Sequence, residues 1–488
     1  MARVMPPKSV VEMAVTYMPA WLRQRAKAKR LDVWARGEQE RDELYIPPGV
    51  ERGGEYDDIA ERARSPWMYL VITSVLQTMF VEGVRMPGSS DNLQSWAAWQ
   101  QNDFDEKQVG LYRSMLGQGV AYVEALPGKD SFTGDARVIW TPRSAVSMAA
   151  FFQDDDPEWP TLAIHGVEQR SLNAFNMVED GFAIRLIDDQ AVHYLACRGE
   201  GLEAADWTYL EYREHNAGVC PVIEYPCMTD LDGRAMSEIE PLIPLARRID
   251  QNVFDRLIVQ RYGAWKVRYI TGLVRPQGMT EQQYQAAIAQ MKIGDFLVSP
   301  STDTKFGQLD EMDLKKLLEA GDSDLRTLSA ISQTPPHHML GLSSNLQAES
   351  LAAAEAGLQR RSFDRRVVVD TRHERLMRLT AKYEGNREEM RAFDMQVRWK
   401  DMESRSLSQA ADALGKLATQ VGVPTEMLFE KIPGWTDSDV HRAMQLVESQ
   451  AVDKLLAELA TIAQQNGATG TQMAQQGTGQ PQPTGAAA

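Results

Sequence analysis

The residues best placed to do chemistry lie in the stretch QTPPHHMLGLSSNLQAESLAAAEAGLQRR, from Gln333 to Arg361. Its adjacent histidines, His337 and His338, open three readings. A metal site needs a third ligand, and neighbouring side chains on one extended loop point in different directions, which argues against a shared ion. Acid–base catalysis needs a carboxylate partner and a pocket; Glu349 and Glu355 are near in sequence but sit on the face of the helix that follows. The third reading is a loop whose imidazoles are polar and mostly neutral near pH 7. The surroundings favour it, so no catalytic residue, metal or cofactor is expected. His165, His193 and His215 fall singly in a β-rich stretch without helical ligand spacing and read as structural or surface residues. No GxxxxGK[ST], HExxH or GxSxG fingerprint occurs in the sequence.

Two long helices position the histidine stretch. The first begins at a Ser237/Glu240 capping box. Ile239, Leu242, Ala246, Ile249, Val253 and Leu257 recur at helical spacing along it, and Arg247, Arg248, Asp255 and Arg256 take other faces. It ends near Gly263 and spans roughly 40 Å, a rod more than a core element. A small β-α-β module follows: WKVRYITGLV, a short helix from Thr280 to Met291, then DFLVSP. Another helix runs from about Met312 to Ser332, weakened by Gly321. Thr334-Pro335-Pro336 then stops it, because proline cannot continue a helix and the residue before proline avoids αR. Ser344 and Gln347 form a capping box for the next helix, about Leu346 to Tyr383, whose middle is crowded by Arg360, Arg361, Arg365 and Arg366.

Upstream, helices are expected from Ser9 (capped with Glu12) to about Glu43, and from Tyr56 to Glu82 with a break at Pro66. Trp96 and Trp99, three residues apart, share one face of a short helix as core anchors. From Gly119 to Cys227 the period is two. FAIRLIDDQAVHYLAC reads as a hairpin around Asp188-Asp189, and TYLEYREHNAGVCPVIEYPC as two further strands. The class is therefore α+β, predominantly α.

Composition sets the remaining bounds. The chain has 488 residues, 43% hydrophobic and 25% charged, enough for several folded domains. Cys197, Cys220 and Cys227 are odd in number and lack a CxxC pair, so neither a disulfide framework nor a zinc ribbon is expected and a reducing cytoplasm fits best. Trp67 to Val84 is the most apolar run, but Thr73, Ser74, Gln77 and Thr78 interrupt it, so it reads as a buried helix and no membrane partner is expected. A net charge of −16 has the wrong sign for gripping nucleic acid and suits repelling or guiding it. At the C-terminus, Val440, Met444, Val447, Ala451, Leu455 and Leu459 form a helical packing stripe. NGATGTQMAQQGTGQPQPTGAAA after Gln465 has no charge or aromatic ring with which to order itself.

The succession of long helix, small module, helix, TPPHHMLG, NLQAESLAAAEAGLQRR and long helix resembles a tailed-bacteriophage portal protein, most closely the long-tailed siphophage type of actinobacterial hosts. MQVRWKDMESRSLSQAADALGKL, Met395 to Leu417, adds to the likeness, which covers about Glu43 to Leu459. The resemblance implies a portal-type fold assembled in a ring, usually a dodecamer. Its regions would be a wing at 1–229, a stem helix at 230–264, a clip at 265–311, a second stem helix at 312–332 and a tunnel loop at 333–345. A wing helix and strand at 346–403, a helical crown at 404–465 and a low-complexity tail at 466–488 would follow. It implies a channel at one capsid vertex that conducts double-stranded DNA during packaging and ejection without sequence specificity. The terminase large subunit, head–tail connector or adaptor and major capsid protein are the implied partners. The location is the virion, after assembly in the host cytoplasm. On this map His337, His338, Met339, Leu340, Gly341, Leu342, Ser343, Ser344 and Asn345 line the DNA channel. Lys266, Arg268, Arg275, Lys292 and Lys305 give the clip a positive surface for partners, and the arginines from Arg360 to Arg366 make intersubunit ion pairs. The alternatives are a non-viral helical scaffold and a metal-dependent intracellular enzyme using His337 and His338.

Overall fold

A computed structural model of the chain describes residues 4–39, 44–45, 54–89, 91–153, 156–172, 178–263, 268–271, 278–280, 282, 305–308, 314–341, 348–400, 407–432, 434–435, 439–447 and 449. The chain forms two compact units, 1–400 and 401–488.

The first unit opens with helix α1, Pro7–Arg36. It starts two residues before the expected Ser9 cap, because Pro6 and Pro7 already hold the φ that a helical first turn needs. Val10, Ala14, Met18 and Trp21 share one buried face, packed on a five-stranded sheet. Helices α2, Glu55–Ala63, and α3, Trp67–Leu76, flank Pro66, so the expected break is present. The helix does not continue to Glu82: Val81–Arg85 is a strand, β1. Helix α4, Trp96–Gln101, carries the two tryptophans stacked at 4.6 Å. Helix α5, Phe104–Gln118, was not anticipated; Gly110 and Gly117 lower its propensity and Asp103 before it sits at φ 51 with no capping bond. Burial of Leu111, Tyr112, Met115 and Leu116 outweighs both.

The period-two stretch is sheet, as expected. Strand β2 (Val120–Lys129) lies between β3 (Ala136–Ser144) and β9 (Val222–Pro226), all antiparallel. Between β3 and β9 in the chain, β4 (Met148–Phe151), β5 (Leu162–Leu172), β6 (Val178–Ile187), β7 (Ala191–Arg198) and β8 (Trp207–Glu214) pair in order. Gly166 on β5 leaves room for Trp21: a Cβ there would lie 2.6 Å from the indole. The β6–β7 turn is held by Asp188, whose carboxylate accepts from the backbone of Gln190 and Ala191 and meets His193 Nε2 at 3.1 Å. His165, His193 and His215 are all buried, in keeping with a structural role.

Helix α6, Ile243–Gly263, has 21 residues and so about 31 Å of rise, shorter than expected. Its start differs because Ser237 Oγ, while donating to Leu116 O and Gly117 O at the end of α5, accepts only from Ile239 N, and a tighter turn at Glu240–Leu242 comes before the helix. After α6, β10 (Arg268–Thr271) pairs antiparallel with β11 (Lys305–Gln308). The expected second strand, DFLVSP, and nearly all of the helix from Thr280 to Met291 lie outside the described residues. Helix α7, Leu314–Ser332, returns along α6. Gly321 permits the approach, since a Cβ would meet Asn252 Oδ1 at 3.2 Å, and Arg248 bridges to Asp324 at 2.7 Å.

A short helix, α8 (Pro336–Leu340), precedes the 37-residue α9 (Ala348–Glu384), about 55 Å long. Helix α9 is the spine of the unit. Val369, His373, Leu376, Met377 and Thr380 are buried in it. His373 accepts or donates to Tyr112 Oη at 2.6 Å and Tyr225 Oη at 3.1 Å, and burial lowers its pKa to about 3, so it stays neutral. The chain ends this unit in β12, Gln396–Trp399, which pairs antiparallel with β1, so residues 81 and 399 meet across most of the sequence. Among the described residues no helix is long and apolar enough to cross a membrane, and the three cysteines are buried and unpaired.

Asp250 on α6 gives a test of this packing. Its carboxylate accepts from Gln39 Nε2 at 2.7 Å and Ser65 N at 3.0 Å, yet burial pushes its pKa up to about 6. An acid whose folded pKa is raised contributes most stability at low pH and loses it as pH rises through that value. Asp250→Asn is expected to stabilise the fold at pH 8 by about 2–3 kcal/mol. Gln39 Oε1, without a partner as placed, can flip to accept from the new amide. Urea midpoints at pH 5 and pH 8 would check this: the variant should lose the decline seen in the parent between them.

In the second unit, α10 (Leu407–Lys416) runs into a π-turn at Leu417–Val421, followed by α11 (Thr425–Phe429) and a helical run at 439–447. Of the expected stripe, Val440 is buried and Met444 and Val447 are partly so; Ala451, Leu455, Leu459 and the tail lie outside the described residues.

Candidate functional site

The two prolines end α7 as expected, and Gln333 takes φ 51 immediately after it. Thr334 is fixed by Ser329 Oγ, which donates to its carbonyl at 2.7 Å. From there the structure departs from the sequence reading. Pro335 caps and Pro336 begins a helical turn, so the histidines are not on an extended segment. In a strand successive side chains alternate by about 180°, whereas one helical step turns by about 100°. His337 and His338 therefore converge, with ring centroids 4.4 Å apart. Both face Glu355 of α9: its Oε1 lies 3.1 Å from His337 Nε2 and 3.5 Å from His338 Nε2. The expectation of diverging imidazoles is corrected on this point. Burial lowers the His338 pKa against the opposing pull of Glu355, which keeps it neutral near pH 7. Met339 is buried, Gly341 closes the turn at φ 64, and Leu342, Ser343, Ser344 and Asn345, with the Ser344/Gln347 cap, lie outside the described residues.

The arginine cluster faces inward. Glu238, only 5% exposed, receives Arg361 Nη2 at 2.7 Å and Arg361 Nε at 3.0 Å, and Arg365 Nε bonds to its other oxygen. Burial pushes the Glu238 pKa up, but the two guanidiniums outweigh it and hold the carboxyl below the ordinary range. Arg361 also donates from Nη1 to Ser332 O, the last residue of α7. One side chain thus ties α9 to the entry of α6 and to the base of the histidine turn. Arg366 donates to Thr78 O and lies over the Trp399 ring at 5.3 Å. Of the expected intersubunit arginines, Arg361, Arg365 and Arg366 are thus engaged within the chain, and Arg360 is exposed. Glu238 went unnoticed in the sequence; the only local sign of it is a second acid inside Ser237-Glu238-Ile239-Glu240.

Of the charged residues expected on the small module, Arg268 pairs in register with Gln308 and Lys305 with Thr271, at opposite ends of the two-stranded ribbon. Lys266, Arg275 and Lys292 lie outside the described residues.

The family follows from comparison: the model described as "Phage portal protein, SPP1 Gp6-like" matches residues 55–465, and the chain belongs to that family of phage portal proteins. That family is structural, not enzymatic, and portal function is the function of this chain. Among solved structures, one described as the neck of a native GTA particle computed with C12 symmetry is similar at 11% identity and a TM-score of 0.43, over 78% of this chain and 92% of that one. No curated protein matches.

Proposed function

We propose that copies of this chain close into a ring, of twelve subunits in the virion, at one capsid vertex. The ring conducts double-stranded DNA during packaging and ejection. The observation that carries this reading is the placement of the histidine turn. It joins a helix pair to the long α9, and no lysine or arginine occurs from Thr334 to Glu349. Each cation–phosphate contact releases counterions and adds affinity. A segment free of cations lets a duplex move past through weak, sequence-independent contacts. The net charge of −16 works in the same direction.

The α6–α7 pair then forms the stem and the ribbon at its end the clip, where acidic surfaces of the terminase large subunit and of the head–tail connector meet Arg268, Lys305 and the neighbouring cations. Such contacts weaken with salt. The major capsid protein surrounds the wing, and the siphophage type is part of the same reading. Closure is heterologous: each subunit buries two different faces against its neighbours, with Arg360 the exposed candidate for an intersubunit ion pair.

Negative-stain microscopy with native mass measurement of the purified chain tests this. Rings with a central hole are expected, of whatever subunit number the recombinant protein adopts. A chain that stays monomeric under assembly conditions would overturn the reading.

A further inference from the structure

We propose that His337, His338 and Glu355 form a binding site for one divalent transition-metal ion of the zinc type. The inference stands on side-chain geometry; because a bound ion would itself add positive charge to the turn, the charge balance proposed for DNA passage is that of the chelator-stripped, metal-free chain. One ligand atom from each residue lies within 4.8 Å of the other two. With metal–ligand distances of about 2.0–2.1 Å, tetrahedral coordination places its ligands about 3.3 Å apart. The two contacts of Glu355 Oε1, 3.1 Å to His337 Nε2 and 3.5 Å to His338 Nε2, straddle that value. The third edge, between the two imidazole nitrogens, is also within 4.8 Å.

The donor set selects the ion. Two imidazole nitrogens and one carboxylate oxygen suit zinc, cobalt or nickel. Magnesium and calcium call for oxygen ligands in larger number. Both histidines offer Nε2, an atom a metal can take, toward the same carboxylate oxygen. No lysine or arginine lies between Thr334 and Glu349 in the sequence to compete for the carboxylate. The side chains of His338 and Glu355 are 32% and 30% exposed, which leaves an entry path and a fourth position for water. Bound there, the ion fastens α8 to α9 across the segment 342–347 and holds the histidine turn in one position.

The test uses the untagged full-length chain, stripped with a chelator. Zinc chloride and magnesium chloride are titrated calorimetrically, and cobalt(II) serves as a coordination probe through its visible absorption. One zinc ion per chain is expected, with an intense tetrahedral-type cobalt band and no magnesium binding. Glu355→Gln, which keeps the size and polarity of the side chain, should weaken zinc at least about tenfold. The pair His337→Asn and His338→Asn should abolish both zinc binding and the cobalt band, with circular dichroism confirming that the variants fold. His441→Asn, at an exposed histidine of the other unit, should change nothing. A stripped parent chain that takes up no zinc would overturn the site. So would zinc binding left intact in Glu355→Gln and in the histidine pair.

Discussion

Glu238→Ala is expected to destabilise the first unit by about 3–5 kcal/mol, the largest stability effect of any single substitution considered. The reason is what it leaves behind. Glu238 is the shared acceptor of Arg361 and Arg365, whose side chains are 7% and 13% exposed, and without it two guanidiniums remain buried beside each other. Stripping one partner from a buried ion group costs more than never having built the group. Replacing Glu238, Arg361 and Arg365 together by methionine should therefore recover most of the loss. Chemical unfolding at fixed protein concentration measures both, because association would otherwise shift the midpoint. A single-variant loss below about 1 kcal/mol would mean that water screens the clamp, as it does for surface pairs. The pH dependence has a definite sign. Glu238 titrates below its ordinary value in the fold, so its contribution is complete above the unfolded pKa of 4.5 and is lost as pH falls through the lower folded value. Glu238→Gln should remove that acid limb.

The clamp also shows where the sequence stops being legible. Elements with their own signal read through: the period-two hairpin around Asp188, the break at Pro66, the tryptophan pair of α4, the return helix ending at Ser332 and the long α9. Each depends on neighbours within a few residues. Glu238 and Arg361 are 123 residues apart, and nothing local reports that they meet. Helix α5 went unread because its two glycines and missing cap argue against the burial that makes it. The histidine turn was misread for a related reason. TPPHH contains a stop signal, and only Pro336 in a first-turn position reveals that the same prolines also start a helix. That local error propagated into the site, since extended geometry separates His337 from His338 and helical geometry brings both to Glu355. Resemblance carried the family where periodicity could not, and the match over residues 55–465 bears out the phage portal family.

On the proposed channel reading, replacing His337 and His338 together by lysine should slow DNA transit far more than it disturbs folding. The turn keeps its proline start, its buried Met339 and its glycine end, and neither imidazole belongs to the hydrophobic core. With the His337 side chain 14% exposed and both rings against Glu355, stability should move by about 1 kcal/mol. The electrostatics change completely. In the metal-free chain Glu355 faces two imidazoles; two ammonium groups would exceed its charge, and in the proposed ring the excess repeats in every subunit. Each new phosphate contact adds about 0.9 to the slope of log affinity against log salt, so the drag should be strong at low ionic strength and fade at high. Asparagine at both positions keeps polarity without charge and should be much milder. Packaging and ejection by particles carrying each pair, at two salt concentrations, measure the difference. If the asparagine pair abolished transit while the lysine pair did not, imidazole chemistry would be required in the channel, and a passage governed by the absence of cations would have to be given up.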